Sequence, residues 1–244
     1  MENTEQYIER AREKLRNLKD KFRWLNRKEV ASLLDHTLLK PYATKEDLRR
    51  FLIEGSKYNF ASFCVNSYAI PILAKIANEE GINATLCSVV GFPLGASSSR
   101  SKAFEASEAI KNGATEIDMV MNIGLLKSRE FKEVREDIEL VKREIGNNHV
   151  LKVIIETAYL TNEEKIDATR LVMDAGADFV KTSTGFGPSG ATAFDVSLLS
   201  VVADGKIKVK AAGGIRNYYT VCAFYALGAE RIGASSSIKI MEEI

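Results

Sequence analysis

An alternation that recurs along the whole chain is the feature that most constrains its fold. Eight short β-branched or apolar runs each lead, through a turn, into a charged amphipathic stretch. A parallel neighbour requires a crossover connection, so strands separated by helices predict a parallel sheet. The alternation therefore predicts an α/β fold, a (β/α)8 TIM barrel. The predicted strands are residues 32–35, 62–66, 84–90, 116–122, 150–156, 179–183, 208–212 and 231–234.

Helical periodicity fills the intervals between these strands. Glycines stand where three of the helices end, at Gly113, Gly176 and Gly228, and each is followed by a strand within a few residues. A further helix, about 4–22, precedes the first strand. We expect one domain, 1–244, in which 1–28 form an N-terminal helical extension. The other predicted helices are 44–58, 68–80, 99–112, 130–145, 162–175, 193–202 and 218–227, with a short last helix near Ser236.

A doubly wound open sheet is the alternative architecture. Such a sheet usually has a glycine-rich turn directly after its first strand. The corresponding turn here, residues 37–41, reads TLLKP and contains no glycine. The length of 244 residues also suits one barrel, since barrels of this kind run to about 250 residues. The barrel is therefore favoured.

Charge and cysteine usage narrow the function classes. The formal net charge of +1 predicts no general attraction to nucleic acid or to anionic membranes. No apolar run reaches the roughly 18 residues of a membrane span, and the charged N-terminus lacks the apolar core of a signal peptide. Cys64, Cys87 and Cys222 have no CxxC spacing, and two histidines are too few for a His-rich metal site. These features predict a cytoplasmic protein with neither metal nor cofactor.

A lysine lies within the apolar sixth strand. Barrel enzymes place their sites at the carboxyl ends of the strands, and Lys181 stands there in the run FVKTSTG. Burying its ammonium group is costly. The segment by itself leaves two interpretations open: a structural lysine that reaches a partner or solvent, or a nucleophilic amine whose pKa is lowered by its site.

Three further charges lie on neighbouring strands. Lys210 stands on the seventh strand, and adjacent strands are about 4.8 Å apart, so it can lie beside Lys181. Lys152 on the fifth strand and Asp118 on the fourth lie among large apolar residues. If all four point inward, the cluster has a formal excess of two positive charges, which a neutral amine would relieve. Asp118 can then anchor one ammonium group and relay protons.

Glycine- and serine-rich segments end strands six, seven and eight. Residues 184–187 read TGFG, 213–216 read GGIR and 233–237 read GASSS. Backbone N–H groups in such segments can bind a phosphate, which barrels often hold after strands seven and eight. Tight turns that require glycine are the alternative interpretation. At the end of the first strand, Asp35 and Thr37 are expected to hydrogen-bond a substrate hydroxyl, and His36 is equally compatible with a structural role.

Seven stretches together resemble the deoxyribose-phosphate aldolase family and lie in that family's order. They are DHTLLKP (35–41), VVGFPLGA (89–96), GATEIDMVMNIG (113–124), LKVIIET (151–157), GADFVKTSTGF (176–186), KAAGGIR (210–216) and RIGASS (231–236). The resemblance implies a class I, metal-free aldolase that reversibly cleaves 2-deoxy-D-ribose 5-phosphate to D-glyceraldehyde 3-phosphate and acetaldehyde. It implies small-molecule partners only, namely sugar phosphates and aldehydes.

The resemblance also implies a role for each matching residue. Lys181 would form the Schiff base, Lys210 would perturb it, and Asp118 would assist proton transfer. Lys152 would lie in the same pocket. The chain departs from the family at Ser237, where glycine is frequent. The remaining substrate-binding positions would be Thr182, Gly185, Gly213, Gly214, Ser235 and Ser236.

Two other functions of a barrel are the alternatives to an aldolase. A phosphosugar isomerase or decarboxylase barrel would need a carboxylate or histidine base and no imine. A barrel that only binds sugar phosphate would be expected to have lost Lys181 or Asp118, and the chain has both. Because barrels commonly associate through outer helices, we expect a homodimer or homotetramer.

Overall fold

Eight parallel strands close into a barrel in a computed structural model that describes residues 3–244. Each strand pairs with the next along the chain, and the first pairs with the last through Asp35 and Gly233. This confirms the predicted (β/α)8 barrel. The strands are β1 (Leu34–Leu38), β2 (Ser62–Val65), β3 (Leu86–Val90), β4 (Glu116–Val120), β5 (Val150–Ile154), β6 (Phe179–Lys181), β7 (Lys208–Ala212) and β8 (Arg231–Ala234).

Helices precede the first strand and follow every strand. Short 3-10 turns, Ser67–Ala69 and Thr157–Tyr159, follow β2 and β5. Within residues 3–244, no helix combines the length and apolarity needed to cross a lipid bilayer. The helices are α1 (Thr4–Arg16), α2 (Leu18–Lys21), α3 (Arg27–Leu33), α4 (Lys45–Ser56), α5 (Ile70–Glu80), α6 (Ser99–Lys111), α7 (Ile123–Lys127), α8 (Phe131–Ile145), α9 (Asn162–Asp174), α10 (Ala193–Ala203), α11 (Tyr218–Ala226) and α12 (Ser237–Glu242).

The helix ends follow local chemistry. Thr44 caps α4 and Thr161 caps α9 in capping boxes, in which the side chain at the third helical position reaches back to the cap. The three predicted terminal glycines, Gly113, Gly176 and Gly228, have φ of 108°, 74° and 97°. Residues with a Cβ rarely adopt these angles, so glycine closes each helix as predicted.

Two predicted boundaries near the N-terminus are wrong. The first strand was placed at 32–35, but an Asn26–Glu29 capping box starts α3, which takes up Ser32 and delays β1 to Leu34. The single helix predicted over 4–22 is interrupted at Asn17, whose backbone φ of −90° and ψ of 9° end α1. The short helix α7 was also missed, because its cap, Asn122, was taken as the end of a strand.

One face of strand β4 is apolar and the opposite face carries a charged residue. Side chains alternate along a strand with period two, so Ile117 and Met119 lie opposite Asp118 on β4. Ile117 and Met119 belong to an apolar cluster that includes Ile138 of α8, and all are fully buried. The apolar face thus packs on the helices, and the charged face turns into the barrel.

The N-terminal extension packs against the outer helices α9 and α10. Ala11 of α1 forms a small apolar cluster with Ile166, Leu198 and Val202. Ser197 donates a hydrogen bond to the Ala11 carbonyl over 2.9 Å. These contacts hold the N-terminal helix α1 against the outer layer of helices at α9 and α10.

A buried histidine joins β1 to α4 and α12. His36 stacks on Phe51 with ring centroids 4.1 Å apart, and its Nδ1 lies 2.5 Å from the Ser237 hydroxyl. A Cβ on Gly55 would lie 2.7 Å from the ring, so glycine is needed where α4 crosses it. Burial lowers the pKa of His36 to about 4. Its role is therefore that of a neutral packing group.

We expect His36 to make the stability depend on pH. The unfolded chain binds a proton at a pKa of about 6.5 and the folded chain only near 4, so stability is lost as pH falls through this window. Between pH 7 and pH 5 the free energy of unfolding should fall by about 2 kcal/mol. Denaturant titrations should show this fall in the wild type. H36F, which cannot titrate, should show little of it, and an equal fall in H36F would contradict the assignment.

Candidate active site

A buried carboxylate on β4 forms the centre of the site. Asp118 accepts hydrogen bonds at Oδ2 from Lys181 and from Lys210, each over 2.6 Å. Its Oδ1 accepts from Lys152 over 2.9 Å and from the Cys87 thiol over 3.2 Å. The strand register explains the meeting, because Asp118 lies opposite Lys152 and Lys181 lies opposite Lys210. The structure thus brings together the four charges that the sequence singled out.

Two more carboxylates and an arginine complete the group. Lys210 Nζ lies 2.5 Å from Asp35 Oδ2, and Lys152 Nζ lies 2.6 Å from Glu116 Oε2. Arg231 of β8 bridges both acids, at 2.6 Å from Asp35 and 3.1 Å from Glu116.

We call these seven residues the charged network: Asp35, Glu116, Asp118, Lys152, Lys181, Lys210 and Arg231. With four cations and three anions, its formal charge is +1. The four residues that the sequence singled out carry the predicted excess of two, and Asp35, Glu116 and Arg231 together reduce it by one. The smaller excess makes burial of the network less costly.

Asp35 has a different place from the one expected. It was predicted to bind a substrate hydroxyl at the end of the first strand. Instead it lies fully buried, with Ser62 and Arg231 donating to Oδ1 and Lys210 beside Oδ2. Its position gives no support to a direct substrate contact and makes it the counter-ion of Lys210 and Arg231.

The charges of the network support one another. Burial by itself raises the pKa of the Asp118 carboxyl, but Lys152, Lys181 and Lys210 outweigh it and hold this pKa well below its usual range. Burial by itself lowers the pKa of Lys152 and Lys210, but Asp118 and the other acids outweigh it and raise both. Lys210 and Lys152 therefore stay positively charged around an ionised Asp118.

Lys181 is the lysine of this network that reaches a cavity. It is 3% exposed, whereas Lys152 and Lys210 are fully enclosed. The cavity, of about 270 Å³, opens at the carboxyl ends of the strands. Its amine is therefore the one that a bound molecule can meet. The cavity is lined by Thr37, Leu39, Lys40, Lys181, Thr184, Gly185, Phe186, Ala212, Gly213, Gly214, Ile215, Arg216, Gly233, Ala234 and Ser235.

Left-handed glycines shape the wall of the cavity after β7. Gly213 and Gly214 have φ of 88° and 77°, and Gly185 opposite them has φ of 87°. A Cβ on Gly213 would lie 2.9 Å from the Cα of Gly190, so no other residue fits without a shift. Successive backbone groups in such conformations form concave anion-binding surfaces. Three predicted glycines and Ser235 thus line the cavity.

Other predicted substrate residues have different surroundings. Thr37 lines the cavity, but the hydroxyl of Thr182 is buried, donating to the Ala212 carbonyl and accepting from the Ala212 N–H. Thr182 thereby ties β6 to β7. Ser236 stands at the N-cap position of α12, where its side chain makes no capping hydrogen bond, and is not part of the cavity lining. A direct substrate contact of Thr182 or Ser236 has no support in these positions.

Sequence reasoning gave no role to Lys40 or to the side chain of Phe186, both of which line the cavity. Lys40 follows β1 and lines both this cavity and a neighbouring one of about 370 Å³. Phe186 packs edge-on against Phe92, with ring centroids 5.3 Å apart. Lys40 and Arg216 are the cations at the wall besides Lys181. A basic residue directly after a barrel strand was the available signal for Lys40.

One group of side chains has a metal-compatible donor set. Ligand atoms of Cys64, Cys87 and Asp118 lie within 4.8 Å of one another. Three ammonium groups already occupy the Asp118 oxygens, so a metal cation would have to displace them against like-charge repulsion. The surroundings therefore suit an amine site better than a metal site.

Comparison with known proteins agrees with the geometry. The family model described as "DeoC/LacD family aldolase" matches residues 30–236. A deoxyribose-phosphate aldolase of Caldanaerobacter subterraneus subsp. tengcongensis is 49% identical over 216 residues, covering 88% of this chain and 93% of the relative. One of Thermococcus kodakarensis is 48% identical over 219 residues, covering 89% and 98%. A solved tetrameric deoxyribose phosphate aldolase of Aeropyrum pernix is 34% identical, with a TM-score of 0.84, and covers 95% of this chain and 97% of that one.

We expect Arg231 to be essential to the stability of the network. R231L removes the cation that bridges Asp35 and Glu116 and leaves two buried carboxylates under-compensated. Breaking a buried pair in this way costs about 3–5 kcal/mol of unfolding free energy, measurable by denaturant titration. The control R135L removes an exposed pair with Glu139 and should change stability little. Equal effects of the two variants would refute this role.

Proposed function

Because this chain belongs to the DeoC/LacD aldolase family, we propose that it cleaves 2-deoxy-D-ribose 5-phosphate to D-glyceraldehyde 3-phosphate and acetaldehyde through a Schiff base on Lys181. The observation that carries the proposal is the position of Lys181. Its Nζ contacts the buried Asp118 carboxylate over 2.6 Å and lies at the cavity. An amine with a proton acceptor at hand is what attack on an aldehyde requires.

Formation of the Schiff base uses the Lys181–Asp118 contact. Asp118 holds the Lys181 amine in place while Lys181 gives a proton to water in the cavity, and the free amine attacks C1 of the open-chain sugar to give a carbinolamine. One proton returned to the carbinolamine hydroxyl lets it leave as water, and an iminium ion remains. When Lys181 loses its positive charge, the buried Asp118 carboxylate still has two cationic partners, because Lys210 and Lys152 contact it. We assign this compensating role to those two lysines.

Cleavage then uses the iminium ion as an electron sink. A base removes the proton of the C3 hydroxyl, the C2–C3 bond breaks, and its electron pair forms an enamine at C1–C2. D-Glyceraldehyde 3-phosphate leaves, and protonation of C2 gives the iminium of acetaldehyde. Water hydrolyses it and restores Lys181. Asp118 and Lys210 are placed to move protons during these steps, directly or through water.

The phosphate end is assigned to the opposite wall of the cavity. Gly185, Gly213, Gly214 and Ser235 offer backbone and hydroxyl groups there, and Arg216 adds a positive charge. Binding energy from this remote group orients the reacting end of the sugar. Since the chain carries only a net +1, anion recognition depends on this local arrangement.

We further propose a homodimer or homotetramer that works in the cytoplasm without a cofactor in deoxyribose phosphate catabolism. The Aeropyrum pernix relative, which is described as tetrameric, supports an oligomer. All three cysteines are free and buried, which suits a reducing compartment. The partners are small molecules, sugar phosphates and aldehydes, rather than nucleic acid or membrane.

Reductive trapping tests the Schiff base. Acetaldehyde with sodium borohydride should add one ethyl group to Lys181, located by peptide mass spectrometry. K181M should take up none, whereas K208M, which removes an exposed lysine at the start of β7, should be labelled like the wild type. No adduct on folded wild-type protein would refute the mechanism and favour an isomerase that needs no imine. An adduct on another lysine would refute the assignment of Lys181.

Substitution of Arg216 tests the phosphate end. R216M should raise KM for 2-deoxy-D-ribose 5-phosphate about tenfold, because it removes one charge-assisted contact worth roughly 1.5 kcal/mol. Trapping of acetaldehyde at Lys181 should be unchanged, since that reaction involves no phosphate. The control R12M alters an exposed arginine of α1 and should leave KM unchanged. An unchanged KM in R216M would place the phosphate elsewhere.

A further inference from the structure

Glu156 is a buried carboxylate that follows β5, and within residues 3–244 its hydrogen-bond donors include no lysine or arginine. It is 1% exposed, its Oε1 has no hydrogen-bond partner, and the donors to its Oε2 are the N–H and the hydroxyl of Thr184. Burying a carboxylate without a cation is costly, so its place needs a reason. The other buried acids each pair with a lysine or arginine: Asp35, Glu116, Asp118, Asp137 and Asp195.

Its contacts lead into the loop that follows β6. The Oε2 atom of Glu156 accepts the Thr184 N–H over 3.1 Å and also the Thr184 hydroxyl. The Thr184 hydroxyl oxygen in turn accepts the Phe186 N–H over 3.0 Å. Thr184, Gly185 and Phe186 all line the cavity, whereas Glu156 does not. Oε2 of Glu156 thus holds the Thr184 N–H directly and the Phe186 N–H through the Thr184 hydroxyl, from the side of the wall that faces away from the cavity.

The backbone is adapted to this contact at both of its ends. Glu156 has φ of 51° and ψ of 68°, a left-handed conformation that is unfavourable for a residue with a Cβ. A Cβ on Gly187 would lie 2.9 Å from the Glu156 Cδ, so the loop packs directly on the carboxylate. Glu156, in a left-handed conformation, and Gly187, which has no side chain, thus meet at the Glu156 carboxylate. Backbone strain of this kind is concentrated at functional sites.

We propose that Glu156 is a positioning residue for substrate phosphate. It holds residues 184–187 in the shape that binds the phosphate and does not itself touch the substrate. The proposal rests on the proposed function, which places the phosphate at this wall. A loop ordered in advance binds more tightly because less conformational entropy is lost on binding. The negative charge of Glu156 repels a nearby phosphate dianion. Glu156 therefore contributes to phosphate binding by accepting the two hydrogen bonds of Thr184.

Two substitutions of Glu156 should have different effects on KM. E156A removes the acceptor and should raise KM for 2-deoxy-D-ribose 5-phosphate about tenfold, with kcat within about twofold. E156Q keeps a carbonyl oxygen for both Thr184 donors and removes the charge, so its KM should equal the wild-type value or fall. G187A should act like E156A, because its methyl group displaces the carboxylate while the acceptor remains.

A phosphate-independent readout separates positioning from catalysis or general stability. In all three variants the rate of acetaldehyde trapping by borohydride at Lys181 should match that of the wild type. The control E164A removes a half-buried capping carboxylate at the start of α9, which also pairs with Lys127, and should leave both KM and trapping unchanged. Thermal unfolding establishes that each variant is folded at the assay temperature; if E156A is not, G187A decides.

The outcomes divide clearly. A raised KM in E156A and G187A with unchanged trapping supports the proposal. A loss of trapping that parallels the loss of cleavage in folded variants overturns it. A KM of E156A equal to that of the wild type also overturns it, as does a KM of E156Q that rises as in E156A. If the wild type itself neither cleaves the sugar phosphate nor forms an adduct, the proposed function fails instead, and the two failures are distinguishable.

Discussion

A carboxylate in the middle of a barrel needs cations around it, and Asp118 is such a carboxylate. Three lysines on β5, β6 and β7 meet its two oxygens. Two of these lysines require anions of their own, which Glu116 on β4 and Asp35 on β1 provide. Strand identity, register and charge thus constrain one another, because the burial of each group is tolerable only when its neighbours are in place.

The barrel divides into an ionic interior and a cavity at the carboxyl ends of its strands. Lys181 alone among the lysines of the network belongs to both, since it contacts Asp118 and lines the cavity. The wall beyond it consists of turns with positive φ at Gly185, Gly213 and Gly214, positions that carry no side chain. A reactive amine and a backbone surface for an anion therefore face one small volume, and the interior compensates for the charge changes that chemistry at Lys181 causes.

The sequence alone predicts the barrel and the central charges because both depend on short-range periodicity. Lys152, Lys181 and Lys210 are conspicuous as charges inside apolar runs, and period two sets their common face. Asp35 was misjudged because the first strand was predicted to end there, whereas the Asn26 capping box shifts that strand to Leu34–Leu38. Glu156 could not be found at all. Its role depends on residues 184–187 of the loop after β6, and nothing in its own segment shows the left-handed backbone that turns it toward them.

Arg231 links the last strand of the barrel to the first through an ion pair. It stands on the last strand, yet its partners, Asp35 and Glu116, stand on the first and the fourth. In a partly assembled barrel without β8, both acids lack this cation. Such an intermediate carries an electrostatic penalty that vanishes only on closure. The network thereby makes assembly cooperative: half-barrels that could accumulate and aggregate are disfavoured relative to the complete ring.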